Sequence, residues 1–476
     1  MKIRNLLPLL FHLFLVVFGV PLYADCPFIC PTADDISVQQ QLDATAAAGG
    51  GVVQLEAREY QTCAPWIVGS NTHLRGAGRG ATVLVGSATI AGKFVDGTYV
   101  GSSIGTVGTD HVTISDLTVD HWSCSRYANG ISIMPSTSPD EVAMNALVER
   151  VEVLGTPGFH SYMIWNLRGQ HVKILNNWID GGSPSTASGQ EGIESFGGHD
   201  VLISGNSVRD IGGACINTGA ADVANTDTDA ITIANNHLTN CNVGINLGTS
   251  NASEGPQNSS GMKMIGNTII GARTTGIDIV PAVGSSIRDL IVSGNTIRDM
   301  TGSGVVGIRM RASGGTSLGV GIAANTISDN HIENIRGQNA HGIRLTYYPH
   351  VRLSGNTITG TDNGAIYAMN ADDLEIIGNR IEDGGAAPVQ LYASNTAVGF
   401  ARFIVDANLI RWAGLSPGIL ILGGKAGVVR DNVLKRDDTA TPSPVTVANG
   451  SCGVDVYGNR AWYNMAWVNP TVPACP

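Results

Sequence analysis

The chain is written in short runs that alternate apolar and polar positions. Segments of the form Gly-Ile-x-φ, with φ mostly apolar, recur as Gly192-Ile193-Glu194-Ser195, Gly244-Ile245-Asn246-Leu247 and Gly276-Ile277-Asp278-Ile279. They continue as Gly307-Ile308-Arg309-Met310 and Gly342-Ile343-Arg344-Leu345, with looser copies at Cys215-Ile216-Asn217-Thr218 and Ala365-Ile366-Tyr367-Ala368. Strand side chains alternate faces with period two, so the flanking residues point one way and x the other. If the strands stack, x becomes a column of Glu194, Asn217, Asn246, Asp278, Arg309, Arg344 and Tyr367. The pattern therefore predicts a polar, partly charged stripe on an otherwise apolar set of strands.

A second pattern, φ-x-φ-x-x-Asn, recurs through Asn177, Asn206, Asn236, Asn267, Asn295, Asn330, Asn356, Asn379, Asn408, Asn432 and Asn459, with a period of about 28 residues. Self-similarity on this scale is the mark of a solenoid whose repeats bury their apolar faces against neighbours. Each repeat has room for three short strands and none for a helix, so the prediction is all-β: a parallel β-helix of about a dozen coils. At the usual strand spacing the rod is roughly 60 Å long. Asn tolerates left-handed backbone, and stacked amides can bond one another along a ladder. That column is read as structural and kept out of the site.

The segment Asp34 to Ala48 reads as an amphipathic helix with Ile36, Val38 and Leu42 as its apolar residues, stopped by Gly49 to Gly51. It is expected to cap the N-terminal end within a cap region spanning 25–55, with the β-helix over 56–460 and a C-terminal cap over 461–476. Trp462, Tyr463 and Trp467 would close the last coil, whose strand edges are otherwise unpaired. The long linkers at 135–145, 219–229, 248–261, 281–289 and 312–324 all follow the x-bearing strand, and are expected to wall the stripe on one side.

Composition narrows the partners. The 476 residues carry a net charge of −11 with only 14% charged residues, which argues against nucleic acid. Lys2 and Arg4, an apolar run from Leu6 to Val20 and a small-residue end at Ala24 have the layout of a secretory signal over 1–24. No later stretch reads as a membrane span, and a monomer is expected. All eight cysteines follow the predicted cut, and an even number in an exported chain favours disulfides. Cys452 is expected to pair with Cys475, and Cys26, Cys30, Cys63 and Cys124 among themselves. The reading is a secreted or periplasmic protein.

Helix, glycine run, strand and the text from Thr72 to Leu84 (THLRGAGRGATVL) together resemble the opening of pectate-lyase-like right-handed parallel β-helix proteins. This superfamily includes polygalacturonases and polysaccharide lyases, and the resemblance implies a polysaccharide ligand. Gly189 to Ser195 (GQEGIES) is similar to the Asn-Thr-Asp-Gly region of polygalacturonases, which places Glu191 where that motif has an acid. The next coil reads Gly213-Ala214-Cys215 where those enzymes have two acids before the cysteine, and the following one reads Asn242-Val243-Gly244 where they have Gly-His-Gly. An arginine pair, Arg309-Met310-Arg311, stands two coils past Gly-Ile-Asn.

Two chemistries are in view. β-Elimination needs a base and something that neutralises a uronate carboxylate. Arg309 and Arg344 on adjacent coils are its candidates, with Asp278, and with His341, Tyr347 and Tyr348 close by. Asn217, Asn246 and Asp278 followed by two arginines broadly resemble the calcium-then-base order of β-helix lyases, so Asp278 and Asn246 are candidate calcium ligands. Hydrolysis needs two nearby carboxylates; Glu194 and Asp278 are roughly 14 Å apart on the strand spacing, but Glu191 and Glu194 share a coil. Asn217, Asn246, His341, Tyr367, Trp165 and His160 are candidate substrate contacts, and Asp120, His121, Trp122 and Arg126 on an earlier coil are a candidate distant subsite. The sequence reading puts cleavage of an acidic polysaccharide by elimination first, hydrolysis at Glu191 and Glu194 second, and a non-catalytic glycan-binding protein third.

Overall fold

The computed structural model describes residues 31–86, 93–95, 98–120, 129–136, 142–155, 161–182, 190–220, 227–249, 258–281, 285–312, 325–394, 400–413, 416–436, 443–461 and 472. The expected leader at 1–24, His160, and Cys26, Cys30, Cys124 and Cys475 lie outside them. Most of the described strands fall into three long sheets of 16, 15 and 14 strands, paired in parallel from coil to coil. The chain visits the three sheets in rotation, giving each coil three sides. The 14-stranded sheet carries the Gly-Ile-x-φ strands and is called the groove sheet below. It has more strands than the dozen expected, because early coils such as those of Trp66–Ile67 and Ser102–Val107 carry no asparagine to mark them.

Inward-facing Ile, Val and Leu from all three walls form one continuous core running from Val38 to Val454. The asparagine column stands at one corner of it, buried throughout. Along this column each Nδ2 donates to the next Oδ1 and also to a main-chain carbonyl of the preceding coil. Asn295, for example, donates to Asn330 Oδ1 at 2.9 Å and Met264 O at 2.8 Å. The same Oδ1 column also accepts main-chain N–H groups, as Asn295 Oδ1 does from Asn267 N at 2.9 Å. The ladder runs unbroken from Asn177 to Asn459. The ladder asparagines are not the left-handed residues, however. That conformation belongs to the residue before each of them, such as Asn176 (φ 55°), Asn235 (φ 55°) and Asp329 (φ 55°). Where Gly205 takes the place its φ is 69°, and an added Cβ would stand 2.4 Å from Asn176 Oδ1.

The N-terminal helix is Ala33–Ala47 with Thr32 as N-cap, in a reciprocal capping box with Asp35. Val38 and Leu42 pack on the core as expected, but Ile36 is 49% exposed. The third inward residue is Asp35, one turn before Val38. Its carboxylate accepts from Cys63 N at 3.1 Å and Trp66 Nε1 at 2.9 Å. Hydrogen bonding of Asp35 to the first coil, together with the packing of Val38 and Leu42, orients the helix. At the other end Val472 packs against the core; Trp462, Tyr463 and Trp467 are outside the described residues.

Most of each long linker also lies outside them. Where three linkers return, Thr228–Asp229, Asn258–Ser260 and Ser286–Arg288 pair as a separate parallel sheet. These linkers therefore stack on one another at one corner of the coil. Cys215 and Cys241 form a disulfide, and Cys63 and Cys452 each take part in a separate disulfide. No helix among the described residues is long and apolar enough to cross a membrane.

Candidate active site

The groove sheet stacks the x residues in register. Trp165 pairs with Glu194, Glu194 with Asn217, Asn217 with Asn246 and Asn246 with Asp278. The column goes on through Arg309, Arg344, Tyr367 and Gln390. Ile193, Ile216, Ile245, Ile277, Ile308, Ile343 and Ile366 beside them are fully buried on the other face. The stripe read from the sequence is a physical column on the outer face of one sheet. Asp120 is not on it; it ends a strand of the 15-stranded sheet, and His121, Trp122 and Arg126 lie outside the described residues.

The glycine of Gly-Ile-x-φ has a function that alternation alone does not reveal. A Cβ at Gly192 would stand 2.4 Å from Cys215 O and 2.6 Å from the core side chain of Val208. At Gly276 it would stand 2.5 Å from Gly307 O and 2.6 Å from Ile297, and Gly244, Gly307 and Gly342 are alike. The glycine faces inward, and so does the isoleucine after it. Two successive inward residues break the period of two, so the residue before the glycine faces the groove together with x. The ring contacts show this: Tyr162 and Trp165 have centroids 5.3 Å apart, and His341 lies 5.0 Å from Tyr367 of the next coil.

This break puts Glu191 beside Glu194. Burial pushes the Glu191 carboxyl up to about 8, and the Glu194 charge adds to the rise, against the hydrogen bond from Ala214 N. Glu191 is thus protonated at neutral pH. Glu194 is itself buried at 3% exposure and accepts from Asn217 Nδ2 at 3.1 Å. Asn246 Nδ2 in turn donates to Asn217 Oδ1 at 2.8 Å, which fixes the Asn217 amide with its NH2 toward the acid. The neighbouring coil makes the seat for Glu191. Ala214 supplies the donor, and Gly213 leaves the space, since a Cβ there would lie 2.7 Å from Glu191 Oε1 and 2.6 Å from Gln190 O. Where the polygalacturonase pattern has two acids, this chain has the two small residues that seat Glu191. Gly213→Ala is expected to push the Glu191 carboxyl out of this seat toward water and bring its titration back toward the ordinary carboxylate range. An unchanged Glu191 titration, followed by carboxyl NMR in a variant with a native circular-dichroism spectrum, would show that Gly213 does not seat Glu191.

Farther along, Arg309 Nε donates to Asp278 Oδ1 at 2.8 Å, and its Nη2 donates to Asp278 Oδ2. The Asp278 side chain is 6% exposed. Both of its oxygens are taken by one guanidinium fork, while Asn246 is bonded to Asn217 only through its Nδ2 donor. This donor set does not fit calcium, because the arginine already fills the cationic position. Among the described residues no group of three or more Asp, Glu, His or Cys side chains is placed to hold a metal ion. Arg309 is likewise poorly placed as a base, being protonated and doubly bonded to a carboxylate. Arg344 Cζ lies 5.5 Å from the centre of the Tyr367 ring. His341 is 3% exposed, with Asn363 Nδ2 3.3 Å from its Nε2. Burial, helped by the Arg344 charge, lowers His341 to about 4, and burial raises Tyr367. Tyr347 is partly exposed outside the column, whereas Tyr348 is fully buried in the core and is no groove residue.

No curated protein sequence matches the chain. The family model described as "Right handed beta helix region" matches residues 292–464. Among solved structures, a mutant tailspike protein of E. coli bacteriophage HK620 in complex with a pentasaccharide aligns at a TM-score of 0.55 and 14% identity, covering 89% of this chain and 76% of that one. The catalytic unit of a thermostable GH87 α-1,3-glucanase from Streptomyces thermodiastaticus aligns at 0.45 and 16% identity, covering 91% and 68%. An exopolygalacturonase from Thermotoga maritima aligns at 0.45 and 10%, covering 91% and 88%. With its three-sided parallel coil, its asparagine ladder, the family model over residues 292–464 and the alignment to the tailspike, the chain has the right-handed parallel β-helix fold.

Proposed function

We propose that this protein hydrolyses a glycosidic bond of a polysaccharide, with Glu191 as general acid and Glu194 as its ionised partner. The observation that carries this is the carboxyl pair itself. Two acids face one groove from the same strand, and burial together with mutual repulsion keeps the proton on one of them at neutral pH. Such a split in protonation assigns acid and carboxylate roles in glycosidases. Glu191 would give its proton to the glycosidic oxygen as that bond breaks. Glu194, oriented by Asn217, would oppose the positive charge that develops on the sugar ring and take a proton from the water that adds to the anomeric carbon, so that the bond broken is replaced by a C–O bond to water. Trp165, on the coil next to Glu194, offers an aromatic face where a sugar ring would lie.

Elimination fits the groove less well. Its base must be free to accept a proton, and Arg309 is bound by Asp278, Tyr367 is shifted upward, and His341 is a weak base at about 4. The extended groove suits a long polymer, and the tailspike complex shows this fold in company with an oligosaccharide. We place the protein outside the cytoplasm, in view of the Cys215–Cys241 disulfide and the signal-like residues 1–24.

Incubation with a panel of neutral and acidic polysaccharides tests the reading. The expected result is release of reducing ends without the ultraviolet absorbance of an unsaturated uronate. That absorbance would establish elimination instead, and binding without either product would make the chain a glycan-binding module.

A further inference from the structure

The groove is electrically uneven along its length. Its two glutamates, Glu194 buried and Glu191 partly so, lie on Gln190–Phe196, and the last groove-facing carboxylate among the described residues is Asp278, already held by Arg309. Beyond that point the strands Val306–Arg311, His341–Thr346, Gly364–Met369, Val389–Tyr392 and Ile419–Leu422 contain no Asp or Glu. They do contain Arg309, Arg311 and Arg344. Arg309 is neutralised by Asp278 and Arg311 is exposed at the strand end. Arg344 is partly buried and has no carboxylate partner among the described residues. Its neighbour is the Tyr367 ring, 5.5 Å from Cζ. An aromatic face offsets charge but does not accept the guanidinium N–H groups as a carboxylate or sulfate would. His341 beside it is uncharged at neutral pH.

We propose that Arg344, backed by Tyr367 and flanked by Arg311 and His341, is a subsite for an anionic substituent, carboxylate or sulfate, on a sugar several units from the cleaved bond. The substrate would then be an acidic glycan. This rests on the reading of the groove as a glycan site. Arg344 stands five coils from Glu194, roughly 24 Å at the strand spacing, so the same anionic group is repelled at the acid pair and collected at the far end. That arrangement sets the direction in which the polymer lies. It also separates charge recognition from the proton transfer, which needs Glu191 to stay neutral.

The test is titration calorimetry on the full chain carrying Glu191→Gln, so that nothing turns over. Three probes are used: a galacturonate oligomer long enough to reach from Glu194 to Arg344, its carboxyl-reduced neutral counterpart, and a sulfated oligosaccharide of similar length. An anionic probe is expected to bind at least about tenfold more tightly than the neutral one, the scale of one charge-assisted hydrogen-bonded pair. Adding Arg344→Gln should erase that difference, while Arg344→Lys should keep part of it. The preferred anion, carboxylate or sulfate, identifies the substituent. Equal binding of charged and neutral oligomers, or a preference that survives Arg344→Gln, would overturn the subsite and leave the hydrolase reading standing. Failure of every probe and of the polysaccharide panel would overturn both.

Discussion

Replacing Glu191 by Gln is expected to lower glycosidic turnover by about 10²- to 10⁴-fold, the usual contribution of a positioned general acid, while making the folded protein less sensitive to alkali. Both effects come from one proton. Glu191 is raised from an ordinary value of 4.5 to about 8 by burial first and by Glu194 second. Between these values the folded protein keeps a proton that the unfolded chain releases. Stability is therefore full below the lower value and declines as pH rises toward the upper one, by at most about 1.4 kcal/mol per pH unit. The amide of Gln stays neutral and removes that slope. Urea unfolding at several pH values between 5 and 8 checks the stability arm, and reducing-end release checks the other. A variant with the wild-type slope and more than a tenth of the wild-type rate would remove Glu191 from the account.

The second large effect lies in the ladder. Asn295→Leu should cost about 3–5 kcal/mol, although the side chains are close in size. Asn295 is fully buried, its Nδ2 satisfies Met264 O and Asn330 Oδ1, and its Oδ1 satisfies both the main-chain and side-chain nitrogens of Asn267. Leucine leaves the buried Asn267 main-chain N–H and an Asn267 amide hydrogen without partners and takes a second donor from Met264 O and from Asn330 Oδ1, and each orphan costs about 1–3 kcal/mol. Asn246→Ala is the control from the groove. It removes one bond to Asn217 at a partly exposed site that water can refill, for a loss within about 1 kcal/mol. Equal denaturation midpoints for the two variants would show that the ladder is not what holds the coils in register.

The stripe and the ladder were legible in the sequence for the same reason. A solenoid repeats its environment at every coil, so one residue type recurs wherever one environment does. Features that depend on a single coil were not legible in this way. The parity break at the glycine needs the carbonyl of the next coil, which alternation within one strand does not include. It is why Glu191, three residues before Glu194, shares its face. The left-handed turn was assigned to the ladder asparagine, but that residue is already committed by four hydrogen bonds, and its predecessor makes the turn. Ile36 counted as apolar in the helix, yet the helix turns Asp35 inward because Trp66 and Cys63 offer it donors. Pairing along the stripe was also hidden. The repeat register shows that Asp278 and Arg309 are neighbours, but only geometry shows that both carboxylate oxygens are spent, which leaves Arg344 as a cation without a carboxylate partner among the described residues and weakens the case for calcium.

The account's central claim is that a neutral Glu191 gives up a proton in the groove. The most direct measurement is the pH dependence of kcat/KM on whichever polysaccharide the panel selects. The account predicts an alkaline limb, with activity falling as pH rises through about 8, and a shift of that limb to lower pH in Glu194→Gln, where the repelling charge is gone. Activity that instead climbs through the same range, as a reaction needing a deprotonated base would, contradicts it.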